Sequence, residues 1–166
     1  AASYFIDERI EVCVMQKAEK VLTVLRKQSI QSKHFVFDRL YRNFFNLDFY
    51  MLAYSRIYAK EGNMTLGTDN KTIDGFNIEI IEKIIEKLKT ESYYPKPSRR
   101  VYIPKKNGGS RPLGIPSFED KLVQEVLRMI LEAIYEPNFK NSSHGFRPER
   151  SCHTALIQIK QKGSGT

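Results

Sequence analysis

Tryptophan is absent from this chain of 166 residues, and cysteine occurs only at Cys13 and Cys152, far apart in the sequence. Two cysteines so placed provide neither a disulfide framework nor a zinc-binding spacing, and they fit a reducing compartment. No apolar run is long enough to span a membrane, and no signal-peptide pattern opens the chain. We therefore expect a protein that is not secreted and has no membrane partner.

Acidic residues are missing from residues 93–116, although six basic residues fall there. The whole chain has a net charge of +8, so this short stretch carries six of the eight surplus charges. So concentrated a surplus indicates a specific polyanionic partner more than general solubility. Phosphate is the polyanion that Lys and Arg neutralise in nucleic acids. The six basic residues are Lys96, Arg99, Arg100, Lys105, Lys106 and Arg111.

Apolar periodicity and turn residues predict an α+β fold that is mostly helical, with five or six helices and one small antiparallel β-hairpin. An amphipathic stripe predicts a first helix from Asp7 to about Lys27, followed by a polar break over residues 29–33. The aromatic-rich residues 34–60 predict two helices, the second capped by Asp48. Residues 61–75 are rich in Gly, Asn, Asp and Thr and predict a loop.

Three more helices follow from their start signals. Asn77 is a predicted cap of one helix, and Ser117 is a predicted cap of the next, which runs to about Tyr135. Pro148 sits at a first-turn position and predicts a last helix through about Lys160.

The β-hairpin is predicted between the helix capped by Asn77 and the helix capped by Ser117. Residues 99–104 alternate apolar and polar side chains, Asn107-Gly108-Gly109 is a turn signal, and residues 111–115 form the returning strand. Glycines let a ligand approach the backbone, and a guanidinium binds two phosphate oxygens at once, so the tip could close over a triphosphate. The alternative is a solvated hairpin whose lysines only protect an edge strand. It is not a Walker loop, because the Gly-Lys-Ser/Thr ending is missing.

The remaining residues that could bind or react are expected to have structural roles. Aromatic side chains at helical spacing within residues 35–58 are expected in the core, with base stacking as the alternative. Cys152 is expected in the core of the last helix, and His144 and His153 on the polar surface, because a metal site needs more ligands. No nucleophile elbow or catalytic triad is present in the sequence.

Several motifs in order resemble group II intron reverse transcriptases. The motifs similar to their first block are Tyr93-Tyr94-Pro95-Lys96-Pro97, Arg99-Arg100-Val101-Tyr102-Ile103-Pro104-Lys105 and Arg111-Pro112-Leu113-Gly114-Ile115-Pro116. Those similar to the second block are Ser143-His144-Gly145-Phe146-Arg147-Pro148 and Ser151-Cys152-His153-Thr154-Ala155-Leu156. Residues 54–62 and 72–76 are similar to the N-terminal extension of that family. The likeness covers about residues 36–160.

The resemblance implies the fingers, with the leading edge of the palm, of a right-hand RNA-directed DNA polymerase that is also a maturase. Residues 1–32 would be an N-terminal helical extension, and residues 33–92 a second helical extension whose loop 61–75 covers the template. Residues 93–166 would hold the fingers hairpin, its helix and the second family block. Such proteins assist splicing of their own intron RNA and copy it into DNA during retrohoming, in a bacterial cytoplasm or an organelle.

The resemblance also assigns roles to individual residues. Lys105 and Arg111 match the fingers positions that bind the incoming dNTP. The residues expected to bind RNA or line the template are Lys96, Arg99, Arg100, Lys106, Leu113, Gly114, Ile115, Pro116 and Arg147.

Catalysis in the family needs Mg²⁺ held by palm aspartates, and the Tyr-x-Asp-Asp block that supplies them is absent from this sequence. We therefore expect no catalytic or metal-binding residue in this chain, no activity of the chain alone, and Mg²⁺ only in a full-length enzyme. The expected partners are intron RNA, template, primer and dNTP. A non-catalytic RNA-binding splicing factor and a protein-interaction module are the alternatives. Apolar residues such as Leu156 and Ile159, if exposed, would favour self-association, so a homodimer is also considered.

Overall fold

A computed structural model describes residues 16–32, 34–62 and 64–163. Within these ranges the chain is mostly helical and has one two-stranded sheet, which confirms the predicted α+β class. The α-helices are α1 (Ala18–Gln31), α2 (Leu47–Tyr58), α3 (Ile78–Lys89), α4 (Phe118–Tyr135) and α5 (Cys152–Gly163). The strands are β1 (Arg99–Pro104) and β2 (Ser110–Ile115), and short 3₁₀ helices cover Leu40–Phe45, Ile73–Gly75 and Glu136–Asn138.

Helix α4 is the centre of the core. It packs against both α1 and α2, while α3 packs against α2 and the first 3₁₀ helix. The aromatic block contributes Phe44, Phe49 and Tyr50 to this core, and the Tyr50 hydroxyl donates to the Phe44 carbonyl at 2.9 Å. The prediction that the aromatic residues within 35–58 belong to the core is confirmed for these three, whereas Phe35, Tyr41 and Tyr58 are exposed. The buried side chains of α4 are Phe118, Leu122, Val126, Met129, Ile130 and Ile134, together with Asp120 and Glu125.

The hairpin has its turn at the predicted position. Arg99 pairs with Ile115 at its base, and Pro104 pairs with Ser110 near its tip. Gly108 has a φ of 82°, a left-handed conformation that glycine adopts without strain. Only Ile115 of the six β2 residues is buried, so the ribbon projects from the body and joins it at its base.

The first helix ends later than predicted. Helix α1 continues to Gln31, so the polar break expected at residues 29–33 is wrong for its first part. Ser29 is buried because its hydroxyl donates to the Ile134 carbonyl at 2.5 Å and accepts from the Asn138 amide at 2.7 Å. A buried serine with both hydrogen bonds satisfied does not interrupt a helix. The part of the predicted helix before Gln16 lies outside the described residues.

The cap of α2 also differs from the prediction. Asn46, not Asp48, is the cap, because its side chain accepts from the Asp48 N–H at 3.0 Å. The Asp48 carboxylate instead accepts from the Ala18 N–H at 2.6 Å and so holds the start of α1 against α2. The predicted caps Asn77 and Ser117 are confirmed.

The last helix begins at Cys152 rather than at Pro148. Glu149 has a φ of 57°, which breaks a helix, and Ser151 then accepts from the Thr154 N–H at 3.4 Å. Cys152 is exposed, so its prediction as core is wrong. His144 is partly buried rather than on the polar surface, with its ring nitrogens 2.9 Å from Thr154 Oγ1 and 2.6 Å from Gln158 Oε1.

Helix α5 buries none of its side chains within the described chain. The exposure anticipated for Leu156 and Ile159 is confirmed, at 63% and 67%. In the described ranges, no helix has the length and apolar character that a membrane span requires.

Candidate nucleic-acid interface

The hairpin divides its cations between two faces. Residues paired across an antiparallel ribbon share a face, so the register places Arg111 with Ile103 and Val101. Arg100 lies on the opposite face, with Tyr102. The sequence alternation predicted these two faces of β1.

Four hairpin cations are exposed: Arg100, Lys105, Lys106 and Arg111. Among the described residues, no carboxylate forms an ion pair with any of them. At the tip, the Lys105 N–H donates to the Gly109 carbonyl at 2.6 Å, which closes the turn and leaves the side chains outside it. An exposed cation without an acidic partner remains available for phosphate.

Lys96 is placed differently from these four residues. Its ammonium lies 3.2 Å from Asp69 Oδ2 and 3.3 Å from Glu119 Oε2. Arg99 is intermediate, because its Nε donates to the Leu66 carbonyl at 3.0 Å while the residue stays exposed. The sequence assigned both residues to RNA, and that role stays a prediction; the structure shows that each contacts the loop 64–71.

Arg147 is held inside the protein. Its side chain is only 8% exposed, and Nε and one terminal nitrogen donate to Glu136 Oε1 at 2.9 and 2.7 Å. Another terminal nitrogen donates to the carbonyls of Lys140 and Ser143, and the guanidinium lies 5.2 Å from the Phe139 ring centroid. RNA binding by Arg147 stays a prediction, but this geometry favours a structural role.

The residues expected to line the template lie where β2 enters the body. Leu113 is 46% exposed and Gly114 is exposed, whereas Ile115 is buried and Pro116 is half-buried. Of these four residues, Leu113 and Gly114 are therefore the ones accessible to a ligand. A Cβ at Gly114 would lie 3.5 Å from the Ser98 side chain, an ordinary van der Waals contact, so the space there does not itself require glycine.

The hairpin is attached to α4 through Asp120. This buried carboxylate accepts from the Ser117 hydroxyl at 2.6 Å, from the Lys96 N–H at 3.1 Å and from the Tyr93 hydroxyl. Burial, followed by the hydrogen bond to the Asp120 carboxylate, raises the pKa of Tyr93 well above its ordinary value. The sequence did not reveal this role of Asp120, since two of the three donors come from the segment before β1.

The family-implied Mg²⁺ does not fit these residues. In the part of the chain that the structure describes, no group of three or more His, Cys, Asp or Glu side chains could hold a metal ion. Near the hairpin, the carboxylates of Asp69, Glu119 and Asp120 are occupied by lysines and hydrogen-bond donors.

Comparison with known proteins identifies the family. No family model matches the chain. It is 51% identical over 152 residues to the group II intron-encoded protein LtrA of Lactococcus lactis subsp. cremoris, covering 91% of this chain and 25% of that protein. The chain belongs to the group II intron-encoded reverse transcriptase/maturase family. It is also 49% identical over 148 residues to the 91 kDa protein in the cob intron of Schizosaccharomyces pombe, covering 86% of this chain and 18% of that protein.

A further relative is found in Saccharomyces cerevisiae. The putative COX1/OXI3 intron 1 protein of Saccharomyces cerevisiae is 46% identical over 121 residues, covering 73% of this chain and 14% of that protein. The chain thus spans about a quarter or less of the length of these relatives. The helical body with a projecting hairpin is consistent with the fingers of this family.

Proposed function

We propose that this group II intron relative forms the fingers of an RNA-directed DNA polymerase with a maturase role, and that its hairpin binds RNA and the incoming dNTP. One observation carries the proposal: the exposed hairpin cations have no acidic partner within the described residues, although this chain has 19 acidic residues. Cations that only maintain solubility would not need to be concentrated on one glycine-tipped ribbon.

Arg111 and Arg100 lie on opposite faces of the ribbon, which supports separate roles for these two residues. Lys105 and Arg111 would hold the triphosphate, while Arg100 and Lys106 would contact the RNA backbone. Leu113 and the backbone at Gly114 would lie beside the template. Mg²⁺, which the family binds through palm aspartates, would supply the charge stabilisation for nucleotidyl transfer.

The wider role follows from the family. The protein would bind its intron RNA, support splicing and copy the RNA into DNA during retrohoming, with template and primer as further partners. Its place would be a bacterial cytoplasm or an organelle. The exposed apolar residues of α5 would suit contact with another protein, and a homodimer is one such assembly.

The RNA assignment is tested by the salt dependence of binding to a labelled single-stranded RNA, measured by fluorescence anisotropy. Each phosphate contact on a single strand contributes about 0.7 to the slope of log K against log salt. The double variant Arg100→Ala/Lys106→Ala should therefore reduce the magnitude of this negative slope by about 1.4. The control Lys83→Ala/Lys87→Ala changes the net charge equally on the exposed side of α3 and should leave the slope nearly unchanged. Equal effects of the two double variants would contradict the assignment.

The triphosphate assignment is tested by titrating the chain with a deoxynucleoside triphosphate and following backbone amide shifts by NMR. Shifts are expected at Lys105, Gly108 and Arg111. Arg111→Ala should raise the Kd about tenfold or more, since a charged hydrogen bond contributes about 1.5–3 kcal/mol. Arg100→Ala, on the other face of the ribbon, is the matched control, and an equal loss in that variant would refute the division between the faces.

A further inference from the structure

The loop of residues 64–71 lies against the base of the hairpin, and its backbone is held from several sides. The Thr65 carbonyl accepts from Lys121 Nζ at 2.9 Å, and the Leu66 carbonyl accepts from Arg99 Nε at 3.0 Å. The Thr68 hydroxyl donates to the Pro97 carbonyl at 2.9 Å. Three loop residues are thus bonded to partners that lie 29 to 56 positions further along the chain.

Gly67 brings the loop backbone into direct contact with the start of α4. A Cβ at this position would lie 2.8 Å from Ser117 Cα and 2.9 Å from the Pro116 carbonyl oxygen. Real Cβ atoms do not approach backbone atoms so closely, so a side chain here would move the loop away. Gly67 is buried, although its neighbours on either side are exposed.

Ion pairs complete the attachment. Lys96 Nζ lies between Asp69 of the loop and Glu119 of α4, and Glu119 Oε1 also accepts from Lys71 Nζ at 3.3 Å. Partial burial acts to lower the pKa of Lys96, but its hydrogen bond to Asp69 and the charge of Glu119 raise it on balance. The pKa of the Asp69 carboxyl is lowered in spite of partial burial, because Lys96 and the Lys71 N–H donate to it. Both shifts indicate that the pair is formed in its charged state.

We propose that Lys96, Asp69 and Glu119 are positioning residues that hold loop 64–71 against the hairpin base before any RNA is bound. The inference rests on the proposed function, together with the family resemblance, which implies that loop 61–75 covers the template. In this proposal Lys96 is not a phosphate ligand, because its ammonium pairs with Asp69 and Glu119. The loop then has its final position before the template binds. Pre-organisation of this kind lowers the entropy cost of binding.

Loop order in the free protein is the first test. We expect ¹⁵N relaxation to give order parameters near 0.85 for residues 64–71 of the unliganded chain, and values below about 0.6 in Lys96→Met. Lys106→Met removes an equal charge from the hairpin tip, where no ion pair is broken, and should leave the loop ordered. A loop that is mobile in the unliganded wild-type chain, or equally ordered in both variants, would overturn the proposal.

RNA affinity is the second test, because the two roles of Lys96 predict opposite outcomes for its acidic partners. If Lys96 were a phosphate ligand, Asp69→Asn/Glu119→Gln would free it and strengthen binding. If it positions the loop, the same variant should bind single-stranded RNA about fivefold more weakly than Glu82→Gln/Glu86→Gln, a control of equal net charge on exposed positions of α3. Stronger binding than the control would overturn the proposal.

The two tests separate this inference from the proposed function. A wild-type chain that binds no RNA refutes the proposed function, while its loop order parameters still decide whether the ion pairs hold the loop. Normal RNA binding with a mobile loop refutes only the inference. The salt slope adds a readout: Lys96→Met should leave it unchanged, whereas loss of a phosphate contact would lower it by about 0.7.

Discussion

Asp120 should be the polar residue whose loss destabilises this protein most. It is 3% exposed and accepts three hydrogen bonds, from the Ser117 hydroxyl, the Lys96 N–H and the Tyr93 hydroxyl. Hydrogen bonds to a charged group contribute about 1.5–3 kcal/mol each, but they are not additive within one cluster. Asp120→Ala leaves three donors around an unfilled space, so we expect a loss of about 3 kcal/mol.

Asp120 stabilises two parts of the fold, the start of α4 and the base of the hairpin. The carboxylate accepts from a side chain at the start of α4 and from the segment that leads into β1. Its removal therefore weakens both the cap of α4 and the attachment of the hairpin. A loss of 3 kcal/mol should lower Tm by roughly 6–12 °C for a chain of this size.

Urea unfolding followed by circular dichroism measures the effect, with thermal unfolding as a second readout. Asp120→Asn keeps the shape but presents an amide N–H₂ to donors, and it should recover less than half of the loss. Glu82→Ala, at an exposed position of α3, is the control and should change stability by less than about 0.5 kcal/mol. A loss below about 1 kcal/mol for Asp120→Ala would show that water replaces the carboxylate and would refute the reasoning.

Two further outcomes follow from other ionic contacts. Arg128→Ala should cost about 1–2 kcal/mol in urea unfolding, since Glu125 is 7% exposed and loses the guanidinium that donates to both its oxygens, although the arginine is itself half exposed. An unchanged midpoint would show that water compensates that carboxylate. Acid should release the loop 64–71, because the pKa of Asp69 is held below its ordinary value of 3.8; the stabilisation is complete above that value and disappears as pH falls through the lower pKa of the folded state. Amide order parameters recorded from neutral pH downward check this, and a loop that loosens well above pH 3.8 would contradict it.

Features encoded by neighbouring residues could be predicted from the sequence. Asn77 and Ser117 cap the next residues along the chain, and the Asn107-Gly108-Gly109 turn closes a ribbon of adjacent strands. The apolar stripe of α4 was equally local, because a repeat of three and four residues places side chains on one face. Each of these signals lies within one helix or one hairpin, which is why the fold class could be predicted.

Features that depend on distant residues could not be predicted. Ser29 was expected to break a helix, because nothing near it in sequence reveals the Ile134 carbonyl 105 positions away. Asp69, one of the two acidic partners of Lys96, lies 27 positions earlier in a loop. Composition alone does not distinguish Lys96 from the other cations of the segment.

The charge surplus of residues 93–116 therefore has two components that the sequence could not separate. Lys96 is neutralised by carboxylates from outside the segment, and Arg99 Nε donates to the Leu66 carbonyl of the loop. The cations further out on the ribbon have no such acidic partners within the described chain. Lys96 and Arg99 contact the loop, whereas Arg100, Lys105, Lys106 and Arg111 are exposed and contact no carboxylate in the described chain. A surface divided in this way can keep its shape at a salt concentration that screens the exposed charges, because partly buried pairs are screened less. Added salt would then weaken phosphate binding before it loosened the contact between the loop and the hairpin base. In a uniformly solvated basic stretch, salt would screen all of the cations alike.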